Sequence, residues 1–141
     1  MGSRFTHPAS SLTQFQNLFT RASWEMISPE AACLADAEDS RPEACFRREA
    51  YGQLLEVSLH LPLDQISVAV SDVQGKVTFK LFFFYRQNLP ELIQVICDHP
   101  LPLRLNDLNE LLLDSAPHCL FTLLELPGEG LFEVGPAKEA A

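Results

Sequence analysis

The chain has 141 residues, of which 47% are hydrophobic and 21% charged, as is usual for one globular domain rather than for a disordered chain. Its 19 acidic residues outnumber 10 basic residues and give a formal net charge of -9. This charge argues against nucleic acid and anionic membrane surfaces as partners, because both bind clustered lysine and arginine.

The two ends of the chain carry little structural information. We expect residues 1–10 to form a tail, residues 11–134 to form a single domain, and residues 135–141 to be frayed. Gly2 and Thr6 fit the permissive pattern for N-myristoylation, but we interpret the opening Met-Gly-Ser as a cloning remnant or a coincidence.

The cysteines and the hydropathy pattern indicate a cytoplasmic protein. The four cysteines are widely spaced and form no C-x-x-C pair, and a core of this size needs no disulfides. We find no signal peptide and no apolar stretch near the ~20 residues that span a bilayer. We therefore expect free thiols, a reducing compartment and no membrane span.

The first third of the chain predicts helices. Residues 11–14 (Ser-Leu-Thr-Gln) resemble a capping box, and the apolar residues that follow have helical spacing. These residues are Phe15, Leu18, Phe19, Ala22 and Met26. They predict an amphipathic helix over residues 12–27, and a cap with proline predicts a short helix over 29–37. A charged connection follows at 36–42, and residues 43–52 remain ambiguous, with a helical turn before Gly52 as one reading.

The clearest unit is a three-strand antiparallel meander at about 54–85. Apolar and polar residues alternate with period two in three adjacent runs. The apolar set begins with Leu55, Val57, Leu59, Ile66, Val68 and Val70. Turn residues separate the runs at 61–65 and 72–75, and Gly75 suits a positive φ.

The remaining elements complete an α+β pattern. Asn88 and Glu91 predict the start of a helix over about 89–98. A short strand at 101–105, a helix through 111–113, a buried strand over 119–126 and a final hairpin through 131–134 follow. The fold class is α+β, with a mostly antiparallel sheet. Size, charge and element order resemble class I chaperones of type III secretion, without a shared motif from which a site residue would follow.

Phe82 and Phe84 are the residues most informative about function. They lie on the face of their strand that also carries Thr78 and Lys80, so this face changes from polar to aromatic along the strand. The helix over 12–27 would cover both rings in the simpler interpretation. Otherwise they form an apolar patch that binds a second copy or another protein, with His60 and Leu63 at the adjoining turn.

Two groups of residues invite a catalytic interpretation. Glu56, Ser58 and His60 share one strand face, but i and i+2 neighbours are badly spaced for a triad, and we interpret them as a solvated polar row. A second group offers zinc-ligand types at spacings that match no common zinc motif. Its members are Cys97, His99, His118 and Cys119.

The sequence predicts a non-enzymatic chaperone, adaptor or complex subunit that binds protein through an apolar sheet face. The candidate binding residues are Phe82, Phe84, Leu63 and His60. We expect no cofactor, no metal and no catalytic residue, and another protein as partner, with a homodimer as one form. The alternative is a small hydrolase using His60, or a zinc-dependent enzyme using the second group.

Overall fold

The computed structural model describes residues 8–27, 42–85 and 89–135, which form three helices and one seven-stranded sheet. The helices are α1 (Pro8–Arg21), α2 (Leu89–Asp98) and α3 (Leu108–Ser115). The strands are β1 (Glu25–Ile27), β2 (Ala44–Ala50), β3 (Gln53–His60), β4 (Gln65–Asp72), β5 (Val77–Tyr85), β6 (Cys119–Leu126) and β7 (Gly130–Gly135). The α+β prediction is confirmed.

The sheet is an antiparallel meander in which every strand pairs with its neighbours in the chain, in the order β1 to β7. Short turns join β2 to β5 in succession and β6 to β7, whereas α2 and α3 lie between β5 and β6. Between β4 and β5, Oδ1 of Asp72 accepts hydrogen bonds from the backbone N–H groups of Gln74 and Lys76, both at 2.9 Å. Gly75 adopts a φ of 86°, as its position in the predicted turn requires. The three-strand meander over 54–85 is confirmed.

The sequence did not reveal β2, which occupies most of the ambiguous segment 43–52. Its turn into β3 has only two residues, Tyr51 and Gly52, both with positive φ, at 53° and 77°. Such two-residue turns usually carry asparagine or aspartate before the glycine, because a bulky residue tolerates positive φ poorly. Because Tyr51 stands at that position, the turn chemistry did not predict the hairpin of β2 and β3.

The first helix ends earlier than its apolar spacing predicted. It spans Pro8–Arg21 rather than 12–27, and Glu25–Ile27 is a strand. Ser23 has a φ of 74°, and the N–H groups of Ser23 and Trp24 donate to the carbonyls of Thr20 and Phe19 at 3.1 and 2.9 Å. This pair of bonds is a Schellman motif, which ends the helix. Its left-handed position is usually a glycine, so Ser23 gave no sequence signal for the helix end.

The remaining predicted elements have different outcomes. The prediction of a strand at 101–105 is wrong: these residues form no strand, and the backbone of Leu103 bonds to a side chain. Its N–H donates to Oε1 of Gln53 at 2.7 Å, and its carbonyl accepts from Nε2 at 3.0 Å. The predicted helices at 89–98 and near 110, the strand at 119–126 and the final hairpin are confirmed. The helix at 29–37 lies outside the described residues.

The described helices pack on one face of the sheet, which we call the helix face. Phe46, Val57, Val68, Leu81 and Leu124 are paired across β2 to β6 and therefore share that face. Phe19 of α1 stacks on Phe46 with ring centroids 4.1 Å apart. The buried residues of α2 and α3 join the same core cluster. No helix among the described residues is long and apolar enough to cross a membrane.

Candidate protein-binding surface on the second face of the sheet

Phe82 and Phe84 lie on the face opposite the helices, which we call the second face. They alternate with Leu81 and Phe83, which are fully buried on the helix face, whereas Phe82 and Phe84 are only half-buried. The expectation that the first helix covers Phe82 and Phe84 is wrong. The helix packs on the continuously apolar face, because polar and small residues share the second face with the two rings.

Strand β6 extends the apolar patch. Leu123 is the cross-strand partner of Phe82, and Phe121 is the partner of Phe84. The rings of Phe84 and Phe121 are stacked, with centroids 4.4 Å apart and planes 12° from parallel. We call Phe82, Phe84, Phe121 and Leu123 the aromatic surface. All four are half-buried, so the stacked rings still expose part of their apolar area.

The structure places His60, Leu63 and Phe84 at one end of the sheet. Phe82 lies two residues before Phe84 on the same strand. His60, Gln65, Phe84 and Phe121 form one row across β3 to β6 on the second face. Leu63 is 52% exposed in the turn between β3 and β4, so it extends the same end of the sheet. On β4, Gln65 is the cross-strand partner of Phe84, and Ser67 is the partner of Phe82.

His60 is the polar member of this row. It is 7% exposed, and its Nδ1 has no hydrogen-bond partner. Burial lowers its pKa below the usual histidine value, and the nearby charge of Glu43 opposes this shift. His60 is therefore neutral at neutral pH and contributes a mostly shielded ring beside the aromatic surface.

Glu56 and Ser58 do not form the solvated row that alternation predicted, because each is only 2% exposed. Oε2 of Glu56 lies 3.2 Å from Nη2 of Arg47, so the buried carboxylate is paired. Oγ of Ser58 lies 3.5 Å from Sγ of Cys45. These contacts, with the unpartnered Nδ1 of His60, assemble no acid–imidazole–hydroxyl relay. Alternation assigns residues to a face but does not decide whether that face meets water.

The four zinc-type side chains are separated by burial. Cys97 and Cys119 belong to the hydrophobic core, and burial, with the charge of Asp98 adding, raises the pKa of the Cys97 thiol to about 12. His99 and His118 line a cleft of about 500 Å³ beside α2, together with Asp98 and Asp114. Within residues 8–27, 42–85 and 89–135, no three His, Cys, Asp or Glu side chains converge to hold a metal ion.

Phe121 and Leu123 are the site residues that sequence reasoning missed. Strand β6 was predicted, but its partner was not, because α2 and α3 separate β5 from β6 along the chain. The available signal was the alternation of Phe121, Leu123 and Glu125, which marks them as one face of a strand.

Comparisons with protein families, with curated proteins and with solved structures find no match to this chain.

Proposed function

We propose that this chain is a non-enzymatic protein-binding module that binds another protein through the aromatic surface. The observation that carries the proposal is the stacked pair Phe84 and Phe121, half-buried on the face opposite the described helices. Aromatic residues are enriched at the centres of protein interfaces because they lose large apolar areas to a partner at little entropic cost.

The surroundings of the aromatic surface support the same reading. Lys80 and Glu125 pair across β5 and β6 next to Phe82, and Gln65 and Ser67 flank the rings on β4. An apolar centre with a polar rim is the usual anatomy of a protein interface. The partner we propose offers apolar side chains to the rings and carries less negative charge than this chain, whose net charge is -9.

We also propose that the protein works in the cytoplasm as a chaperone, adaptor or complex subunit. Cys45 and Cys97 are buried free thiols, which suits a reducing compartment. The alternative, a hydrolase or zinc-dependent enzyme, gains no support from the placement of His60 or from the separated zinc-type side chains. Metal analysis of purified protein tests it, since stoichiometric zinc would favour the alternative.

The proposal is tested by removing one ring of the stack. Native partners would be captured with the wild-type chain, identified, purified and titrated against wild type and Phe84→Ala. We expect Phe84→Ala to weaken binding by about tenfold or more, because an aromatic anchor at an interface centre carries more than ~1 kcal/mol.

Leu113→Ala is the matched control, because Leu113 is an exposed apolar residue on α3, 63% accessible and away from the second face. Circular dichroism and urea unfolding would verify that both variants are folded. If Phe84→Ala binds every partner as tightly as wild type, the aromatic surface is not the binding site.

A further inference from the structure

The two edges of the described sheet differ in how well they could accept another strand. Strand β1 has three residues, whereas β7 has six and, among the described strands, pairs only with β6. Leu131 is 57% exposed on the second face, and Phe132 is 42% exposed on the helix face. An edge strand with apolar side chains on both faces is a template for strand addition.

The hairpin that carries this edge is acidic. Residues 119–135 include Glu125, Glu129 and Glu133 and contain no lysine or arginine. Glu133 is exposed and lies on the second face, two positions from Leu131. A strand paired with β7 therefore meets a negative charge next to an apolar side chain.

Self-pairing of β7 fits poorly with this pattern. When two copies of one strand pair antiparallel, the numbers of directly opposite residues add to a constant. Only an even constant places residues of the same sheet face opposite each other, so that the second face of one copy continues into the second face of the other. Three such registers are centred on Leu131, Phe132 or Glu133, which lie in the part of β7 that pairs regularly with β6. They place Glu133 opposite Glu133, Leu131 or Glu129 of the second copy. Each opposes two like charges or buries a carboxylate against leucine, and both are unfavourable.

A different strand meets no such conflict. Opposite Leu131 and Phe132 it would present apolar side chains, and opposite Glu133 a lysine or arginine, because oppositely charged cross-strand pairs are stabilising. The match is confined to the four residues Gly130 to Glu133, which pair regularly with β6. A register shift between Thr122 and Leu123 leaves Val134 as an extra residue that bends the rest of β7.

We propose that β7 binds an extended segment of another protein as an eighth, antiparallel strand with the order basic–apolar–apolar. This inference rests on the proposed function in that it names the chemistry of a protein partner. It uses β7, however, and none of the four residues of the aromatic surface, so the two can fail separately.

The test is a titration of labelled synthetic peptides with the full chain at low salt, in which binding is measured by fluorescence anisotropy. The probe is Thr-Thr-Lys-Phe-Val-Thr-Thr. One control replaces lysine with glutamate, and the other is N-methylated at each core residue, which removes the backbone donors. We expect the glutamate peptide to bind about fivefold or more weakly and the N-methylated peptide not to bind. Hydrogen exchange should show new protection confined to amides of 130–133.

Charge exchange makes the assignment specific. In Glu133→Lys the preference should reverse, so that the glutamate peptide binds more tightly than the lysine peptide. Glu110→Lys is the matched control, because it makes the same charge change at an exposed site on α3 and should keep the wild-type preference. Any of three results would overturn the proposal. The lysine peptide does not bind, the N-methylated peptide binds as tightly as the lysine peptide, or Glu133→Lys still prefers the lysine peptide over the glutamate peptide.

Phe84→Ala separates this inference from the proposed function. It should bind the lysine peptide like wild type while losing the native partner. If Phe84→Ala loses the native partner and the peptide titration fails, strand addition at β7 is overturned and the aromatic surface remains the proposed binding site. If the peptides bind as expected but Phe84→Ala still binds the native partner, strand addition at β7 is supported and the aromatic surface is overturned. A wild-type dimer with protected β7 amides would make a second copy the occupant and overturn the proposal.

Discussion

Individual polar residues on the second face are more buried than their sequence context suggests. Glu56 is 2% exposed and depends on Arg47, whose Nη2 lies 3.2 Å away, because a buried carboxylate without a partner is costly. His60 is 7% exposed and stays neutral instead, because burial lowers its pKa. Burial thus selects a different solution for each group: pairing for the acid and neutrality for the imidazole.

The lowered pKa of His60 predicts a pH dependence of stability. Folding favours the neutral ring, so its contribution is fully present above the ordinary histidine pKa of ~6.5 and is lost as pH falls through the lower folded value. We expect the free energy of unfolding from urea titrations to fall between about pH 7 and 5 in wild type. In His60→Gln the fall should be smaller.

His99→Gln serves as the control, since His99 lines the cleft beside α2 and is remote from the second-face row. It should keep the wild-type dependence on pH. A His60→Gln profile parallel to that of wild type would show that His60 does not carry the effect.

At the level of single elements, the end of α1 shows how a local bond pattern overrides periodicity. Apolar spacing continued to Met26, but the left-handed Ser23 redirects the chain and places the Trp24 ring 5.5 Å from Phe19. This contact between the residues flanking the motif is its usual companion. The helix therefore ends at Arg21, and Glu25–Ile27 pairs with β2 as a strand.

Ser23→Gly should stabilise the protein by about 0.5–1 kcal/mol, because glycine accepts a positive φ without the strain of a side chain. Ser23 is exposed, so little contact is lost. The measurement is the urea midpoint and slope. Thr20→Gly, an exposed change inside α1, should destabilise instead. A destabilising Ser23→Gly would contradict the assigned role of the left-handed residue.

At the scale of the whole molecule, one sheet separates two different environments. The helix face carries a continuous apolar core, and the second face combines buried polar groups with the aromatic surface. Neighbouring residues of β5 therefore have different roles. Phe83 is fully buried under the helices, whereas Phe84 is half-buried and stacks on Phe121.

This separation predicts unequal costs for the same substitution. Phe83→Ala should lower the free energy of unfolding by about 3–5 kcal/mol because it leaves a cavity in the core. Phe84→Ala should cost only about 1–2 kcal/mol, for the stack and partial burial. Urea unfolding checks both values. Equal costs would mean that the second face is packed as tightly as the core.

Light scattering on the same wild-type and Phe84→Ala samples determines what occupies the aromatic surface. We expect one molecular mass for both, since the proposed partner is another protein and each copy carries a net charge of -9. A wild-type dimer that becomes a folded monomer in Phe84→Ala would make a second copy the occupant.

The sequence by itself determined the local features of this protein. Period-two alternation and turn residues gave β3, β4 and β5 their faces and register, and helical spacing with a cap gave α2, because neighbouring residues impose these patterns. Only the tertiary structure decided the rest. It joined β6 to β5 across α2 and α3, stacking Phe121 on Phe84, and it chose the face that α1 covers. Those outcomes depend on which distant apolar surfaces bury most area together, which no short window of sequence contains.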